Sequence, residues 1–326
     1  MLNDQRRGKG RHRTAGPEQP GLVLPMPQPM TLIQRRVVEA AGLLGEDDRQ
    51  EVTFQHSIFC QTSLPYRDPG PNVREWARHN GQVHLEVIAG KAMHPELGRL
   101  VPLGLPFGPK PRLILAHLNA EAKRTGSPEV EIEDSLTAFV KRLKLDPKGR
   151  NMRIIKDQLA RLSASSIRFG MVRDGQAFTV NSQIVTAFNL WFPKDDRQKV
   201  LWPSTVRLSL EYFDSLRDRA VPLEERALAA LSHSAMALDI YAWLVQRLHR
   251  IPKPHQQMVA WTLLHQQFGP DYARLRKFRE VFLAALRQVH AVYPAAGLNI
   301  TDEGLILRTS PPPIAKTGTV VRLPGT

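Results

Sequence analysis

Residues 136–170 constrain the fold more than any other stretch of the chain. Apolar residues recur at helical spacing over 136–143, after Asp134 as the predicted N-cap. The Asp-Pro-Lys-Gly run at 146–149 predicts a turn. A second helix is predicted over 151–165, because apolar residues again share one face; these are Met152, Ile155, Leu159 and Leu162. The stretch therefore predicts two short helices joined by a tight connection.

The second of these helices has a basic face opposite its apolar one. That face and its borders contain Arg150, Arg153, Lys156, Arg161 and the small residues Ala160 and Ala164. Strand-like segments at 167–172 and 176–180 follow, and the Asp-Gly pair between them is a strong hairpin-turn signal. Small residues permit close approach to a duplex, and an arginine fork binds two acceptors on phosphate or guanine. Helix, turn, basic helix and hairpin together predict a winged helix-turn-helix that binds DNA.

A similar order of elements is predicted between residues 223 and 307. A long helix over 223–248 ends at a Pro-Lys-Pro break, and a short helix over 261–268 ends at Gly269. A third helix over 272–292 has an inward face that consists of Leu275, Phe278, Phe282, Ala285 and Val289. Residues 298–308 predict a hairpin that turns at an Asp-Glu-Gly run. The two copies share a pattern of elements and not their residues.

The sequence thus predicts an α+β fold with two tandem winged-helix domains. The first domain, with an N-terminal extension, is predicted over 31–205 and the second over 206–310, and a loose tail over 311–326. Residues 1–30 predict a disordered leader, because a basic cluster and then prolines leave little apolar surface to bury. The basic cluster consists of Arg6, Arg7, Lys9, Arg11 and Arg13. It is either an arm that adds phosphate contacts or a solvated tail.

Composition favours a nucleic acid as the partner. The formal net charge is +14 and the sequence pI is about 10.2, which attracts polyanions, either nucleic acid or acidic membrane. No window approaches the roughly 20 apolar residues of a spanning helix, and no signal peptide is recognisable. The lone Cys60 excludes an internal disulfide and fits a reducing compartment. We expect a cytoplasmic protein that binds double-stranded DNA, without a membrane partner, a cofactor or a metal site.

The candidate DNA-binding residues are the cations of the two basic helices and the first hairpin. In the first unit they are Arg150, Arg153, Lys156, Arg161, Arg168 and Arg173. In the second unit they are Arg274, Arg276, Lys277, Arg279 and Arg287.

Signals of catalysis are weak. Lys91 follows Gly90, but the earlier glycine of a phosphate loop is missing and Ala92 replaces its Ser or Thr. There is no His-x-His pair such as strand-nicking enzymes use for metal. Three further histidines have neither Cys nor an acidic cluster beside them; these are His249, His255 and His265. We therefore expect a protein that is not an enzyme.

Several segments keep a familiar order and spacing over about 55–170. They are FCQTSLPYRDP at 59–69, RHNG at 78–81, GLPFG at 104–108, PRLIL at 111–115, NAEAKRT at 119–125, SLxxF at 135–139 and QxxRL at 158–162. In these segments the chain resembles the RepA family of plasmid replication initiators. Beyond residue 170 the resemblance is one of layout.

The resemblance implies a protein that binds repeated sequences (iterons) at a plasmid origin, helps to open the duplex, and recruits the host initiator and the replicative helicase. It also implies paired winged-helix domains and a homodimer that represses while the monomer activates. Two alternatives stay open: a winged-helix transcriptional repressor that binds a promoter operator, and an enzyme of plasmid transfer or priming. Tandem repeats in the target, against an inverted repeat, would distinguish an initiator from a repressor. Nicking or primer synthesis would identify the enzyme.

Overall fold

The computed structural model describes residues 31–46, 51–94, 96–133, 135–173, 175–187 and 205–314. These ranges form a mixed α+β fold, so the α+β part of the predicted fold class is confirmed. Their buried apolar side chains join in one continuous core. The predicted leader and most of the predicted tail lie outside the described residues. In the described part of the chain, no helix has both the length and the apolar character needed to cross a membrane.

The N-terminal part contains one helix and five strands. They are α1 (Leu32–Glu46), β1 (Val52–His56), β2 (Glu75–Asn80), β3 (Val83–Ile88), β4 (Lys91–His94) and β5 (Arg99–Pro102). Strands β2 and β3 pair with each other, as do β4 and β5.

Three helices and five strands follow over residues 109–208. They are α2 (Pro109–Thr125), β6 (Glu129–Glu131), α3 (Leu136–Arg142), α4 (Gly149–Ala164), β7 (Ser166–Arg173), β8 (Gln176–Gln183), β9 (Val185–Ala187) and β10 (Thr205–Leu208). Helix α3 begins at Ser135, whose hydroxyl accepts a hydrogen bond from the Ala138 amide at 3.1 Å. The cap is therefore Ser135 rather than the predicted Asp134, which lies outside the described residues.

The C-terminal part begins with a helix and a strand that lead into a second group of helices. Its elements are α5 (Leu210–Arg219), β11 (Ala220–Glu224), α6 (Glu225–Ala230), α7 (Ala235–Leu248), β12 (Gln256–Ala260), α8 (Trp261–Phe268), α9 (Leu275–Val292), β13 (Leu298–Ile300) and β14 (Gly304–Arg308).

The prediction of one long helix over 223–248 is wrong. Strand β11 occupies the first residues of this range and pairs with β1. The side chains of Val221 and Leu223 on this strand are buried in the core. The rest of the range forms two helices, α6 and α7, and not one. Helix α7 begins anew at Ser234, whose hydroxyl caps it by accepting a hydrogen bond from the Ala237 amide at 3.2 Å. The pairing with β1 joins segments about 170 residues apart, so no local pattern could have shown it.

Two three-stranded sheets share one topology. In the first, the order helix, strand, helix, helix, strand, strand is α2, β6, α3, α4, β9, β10, and the strand order across the sheet is β6-β10-β9. In the second, the same order is α7, β12, α8, α9, β13, β14, with the strand order β12-β14-β13. In both sheets the last strand lies between the other two. The first unit differs by the inserted strands β7 and β8.

The predicted hairpin after α4 is present, but it belongs to another sheet. Strands β7 and β8 turn at Gly175, whose φ of 77° is the left-handed conformation that glycine favours. Strand β7 also pairs with β3, which gives a four-stranded sheet of order β2-β3-β7-β8. The hairpin therefore extends the N-terminal sheet and does not join β6-β10-β9. Residues 188–204, which connect β9 to β10, lie outside the described residues.

A buried ion pair joins the two predicted domains. The Arg112 guanidinium on α2 donates to both carboxylate oxygens of Asp239 on α7, at 2.6 and 2.8 Å. It also donates to the carbonyl oxygens of Gly108 and Leu64, so each of its three nitrogens donates at least one hydrogen bond. The division of the chain at 205/206 stays a prediction, and this contact fixes α2 against α7 across it.

Candidate DNA interface

Helix α9 presents a basic stripe to solvent along most of its length. Its inward face is buried by Phe278, Phe282 and Val289, each with no measurable exposure. The outward stripe contains Arg276, Glu280, Ala284 and Arg287, which follow one another at intervals of three or four residues and are all exposed. The stripe thus combines two arginines with one glutamate and with a small residue, Ala284, that leaves room for a close approach.

The predicted cations of α9 differ in how free they are. Arg274, Arg276 and Arg287 are exposed and form no ion pair with any residue in the described ranges. Lys277 forms an exposed ion pair with Glu280 at 2.9 Å, which holds the side chain only weakly. Arg279 lies with its guanidinium carbon 4.7 Å from the centre of the Trp261 ring. Three of the five candidates are therefore available to a ligand.

One prediction for α9 is wrong in detail. Leu275 was predicted on the inward face, but the helix begins at this residue and its side chain is 37% exposed. Residues 272–274 precede the helix, so the predicted start was three residues early.

Helix α4 offers cations only over its first half. Arg150 and Arg153 are exposed and form no ion pair within the described part of the chain. Lys156 is partly buried. Arg161, by contrast, is only 18% exposed and donates to Asp157 at 3.0 Å and to the Leu105 carbonyl at 3.3 Å.

The segment 90–107 covers the second half of α4. The Phe107 amide donates to the Gln158 side-chain oxygen at 2.8 Å, and a Cβ added at Gly90 would overlap the carbonyl oxygen of Ala164. Ala160 is consequently 3% exposed, although it lies on the same helical sector as Arg153. The prediction that Ala160 and Arg161 lie on an open face is wrong. The helical period shows which side of the helix a residue occupies, but it does not show which other segments pack against that side.

The two arginines of the first hairpin lie on the four-stranded sheet. Arg168 is directly opposite Glu86 in the β3–β7 register and forms an exposed ion pair with it at 3.0 Å. The Arg173 side chain lies outside what the structure describes. Arg168 therefore belongs to the surface of this sheet, where Glu86 already pairs with it.

The N-termini of α4 and α9 share an electrostatic feature. Neither has an acidic residue in its first turn, and neither has a side-chain cap, since the N-cap residues are Lys148 and Arg274. Helices α3, α5 and α7 are each capped by a serine. Uncapped N–H groups and the helix dipole favour an anion at such an end. Both ends are thus suited to a phosphate oxygen.

Buried titratable groups in the described ranges belong to the core. Burial, and then the charge of Arg219, lowers the pKa of His56 to about 3, and its ring Nδ1 accepts a hydrogen bond from the Ile58 amide at 3.2 Å. Ser215 lies 3.3 Å from the other ring nitrogen, but the histidine has no solvent exposure. No group of three or more His, Cys, Asp or Glu residues that could hold a metal occurs in the described part of the chain.

Comparison with known proteins supports the family resemblance. Residues 105–265 match the RepA_C family model, described as plasmid encoded RepA protein. The resemblance to the RepA family predicted from the sequence is therefore confirmed over this segment. The match supports a role in plasmid replication. It spans α2 to α8 and ends before α9.

Solved structures and curated proteins add little. Domains 2 and 3 of RctB, solved as selenomethionine derivatives, are 11% identical to the chain with a TM-score of 0.48, over 71% of this chain and 82% of that one. A second crystal structure of RctB domains 2–3 gives 10% identity and a TM-score of 0.48, over 77% of this chain and 94% of that one. We draw no conclusion from likenesses of this size. No curated protein matches the sequence.

Proposed function

We propose that the chain is a plasmid replication initiator that binds iterons at its origin through helix α9. The two units of common topology are winged-helix domains, and in each the third helix occupies the recognition position. In the first unit the wing position falls between β9 and β10, not at the β7–β8 hairpin. Opening of the duplex, recruitment of the host initiator and helicase, and a homodimer that represses are part of the same proposal. The protein acts by binding and not by catalysis.

The observation that carries this proposal is the outward stripe of α9. A recognition helix must present an open face to the major groove, with its N-terminal residues at base edges and cations on the backbone. Arg274 and Arg276 stand at the N-terminal end of α9, exposed and without an ion pair in the described ranges, and Arg287 lies three turns further on. Guanidinium forks in these positions suit guanine edges and phosphates.

Helix α4 takes a different role in the proposal. Its exposed Arg150 and Arg153, with the uncapped N-terminus, suit contacts to phosphates. The cover formed by 90–107 leaves too little of the helix open to follow a groove. We therefore assign backbone contacts to α4 and base contacts to α9.

A footprint of the purified full-length protein on the DNA that flanks its own gene tests the proposal. We expect regular protection of tandem repeats that persists at a salt concentration that removes bulk DNA binding. The matched variant Arg274→Ala/Arg276→Ala should lose this protection. Protection of a single palindrome in a promoter would instead identify a repressor, and nicking or primer synthesis an enzyme. No protection at any salt concentration would refute the proposal.

A further inference from the structure

Strands β4 and β5 form a two-stranded finger, which the structure describes over residues 91–94 and 96–102. In the described part of the chain these strands pair only with each other. The Arg74 guanidinium holds the two ends of the finger together by donating to the carbonyl oxygens of Ala89, Gly90 and Leu103, at 2.6, 2.9 and 2.5 Å. This clamp fixes the base of the finger beside the C-terminal end of α4.

The tip of the finger is fixed by its own turn. The Gly98 amide donates to the His94 carbonyl at 3.0 Å, and Gly98 has a φ of 57°. The Nδ1 atom of His94 accepts from the Glu96 and Leu97 amides, at 3.2 and 3.3 Å. With a clamped base and a closed turn, the finger has a defined shape.

One face of the finger is apolar and open to solvent. Met93 and Leu100 are directly opposite in the strand register and are 56% and 58% exposed, and Leu97 at the tip is 55% exposed. The opposite face is inward at Ala92, which is 9% exposed. Nothing in the described ranges covers this apolar cluster, and an exposed apolar cluster indicates an interaction.

The borders of this cluster are basic. Lys91 lies on the same face as Met93, whereas Arg99 follows on the opposite face, because successive side chains alternate along a strand. Both are exposed and have no ion pair within the described ranges. Glu96 is the only acidic residue of the finger. An apolar cluster bordered by cations is complementary to a polyanion with apolar groups between its charges.

We propose that the finger inserts its apolar face between base steps of the duplex that the same chain binds, and so distorts it. Met and Leu side chains are used as such wedges, which partly unstack and kink a duplex, while flanking cations hold the backbone. The inference rests on the proposed DNA binding, and it adds a contact that α9 does not supply. A distorted step beside the bound site is easier to open.

A second copy of the chain is a poorer occupant of this face. Each copy would bring the same cations, Lys91 and Arg99, to the contact. A stable interface also buries about 800 Å² on each partner, which is more than a twelve-residue ribbon offers on one face. DNA is a better occupant on both counts. Its phosphates are opposite in charge to these cations, and a duplex groove admits a two-stranded ribbon.

Site-directed crosslinking tests the contact. The single natural cysteine, Cys60, is buried, and burial raises the pKa of its thiol, so a cysteine placed on the surface is labelled selectively. We would attach a benzophenone maleimide to Leu97→Cys and, as the control, to Leu210→Cys, an exposed site on α5. The probe is a 40-base-pair duplex taken from the footprint or, without a footprint, an A·T-rich duplex of the same length at low salt.

We expect the Leu97→Cys protein to crosslink to DNA at least tenfold more than the control. Crosslinks to another protein copy, or DNA crosslinks no stronger than those of the control, would overturn the inference. A footprint without finger crosslinks would leave the proposed DNA binding intact and refute only the finger contact. Absence of a footprint tests the proposed function and not the finger.

A second variant tests distortion separately from contact. Met93→Ser/Leu97→Ser/Leu100→Ser removes the apolar face, and Val38→Ser/Leu210→Ser is the control for exposed apolar loss elsewhere. With 2-aminopurine in the duplex, we expect the natural protein and the control to raise fluorescence several-fold on binding. The finger variant should lose most of this rise when all proteins are compared at concentrations that saturate the duplex. An equal rise with the finger variant would overturn the inference.

Discussion

Helices α4 and α9 occupy the same place in two units of one topology, yet they differ in what they expose. The core faces are alike, since each buries large apolar side chains. On the outward side, α9 is open from its N-terminus to Arg287, whereas α4 is covered from about Gln158 onwards by the segment 90–107. The difference shows that a basic amphipathic sequence does not by itself give an open basic face, which a DNA-reading helix requires.

The cover of α4 should be the feature most sensitive to substitution. Gly90→Ala would place a Cβ against the Ala164 carbonyl oxygen, so either the segment or the helix must move. We expect a loss of about 2–3 kcal/mol in the free energy of unfolding, the range of overpacked sites. Urea denaturation measures it. Gly149→Ala, with nothing within 4 Å of its added Cβ, is the control and should cost less than about 0.5 kcal/mol. Equal effects would show that the segment does not press on α4.

Acid should weaken the side of the molecule that contains α4. His117 lies on α2, which packs against α4, and burial, and then the charge of Arg142, lowers its pKa to about 4. An unfolded chain has a histidine pKa near 6.5, so between pH 6.5 and pH 4 it binds more protons at this residue than the folded protein does. The contribution of His117 to the free energy of unfolding is therefore fully present above pH 6.5 and falls towards pH 4. Between the two pKa values, each unit by which the pH falls lowers the free energy of unfolding by about 1.4 kcal/mol for one such group.

Between pH 6.5 and pH 5 we thus expect His117 to contribute about 2 kcal/mol to the loss of unfolding free energy. Denaturation of the natural protein and of His117→Gln at both pH values measures this share. The variant should show a smaller difference between the two conditions. An unchanged difference would mean that His117 titrates normally in the folded protein.

The third prediction separates Arg161 from Arg153 on the same helix. Arg161 is tied to Asp157 and Leu105, so Arg161→Ala should cost about 1 kcal/mol of unfolding free energy, the net worth of such hydrogen bonds. Arg153→Ala removes an exposed side chain and should change stability by less than about 0.5 kcal/mol. Thermal and urea denaturation of the two variants provide the comparison. A larger loss for Arg153→Ala would mean that its side chain packs against the protein.

Local patterns in the sequence were sufficient to predict the helices and strands around α9. Helix α8 was predicted with its observed bounds and the β13–β14 hairpin closely, because apolar periodicity and an Asp-Glu-Gly turn are encoded within a few residues. The basic residues of α9 were found for the same reason. Both the helix and its exposed stripe follow from sequence neighbours.

Contacts between distant segments account for what the sequence did not show. The strand nature of β11 depends on β1, and the sheet that receives the β7–β8 hairpin depends on β2 and β3. Likewise, the burial of Ala160 and Arg161 depends on residues 90–107. The finger was missed because its exposed Met93 and Leu100 do not alternate with polar residues on both sides.

The most direct test compares matched pairs of arginines on the two helices. Arg274→Ala/Arg276→Ala and Arg150→Ala/Arg153→Ala each remove two exposed cations that have no ion pair in the described ranges. Fluorescence anisotropy would measure their affinity for the footprinted duplex and for a scrambled duplex at fixed salt. For the α9 pair we expect a loss of about 1–3 kcal/mol per base contact and a loss of discrimination between the duplexes. The α4 pair should weaken both duplexes equally, by less than about tenfold. A selective loss with the α4 pair, and none with the α9 pair, would contradict the assignment of base reading to α9.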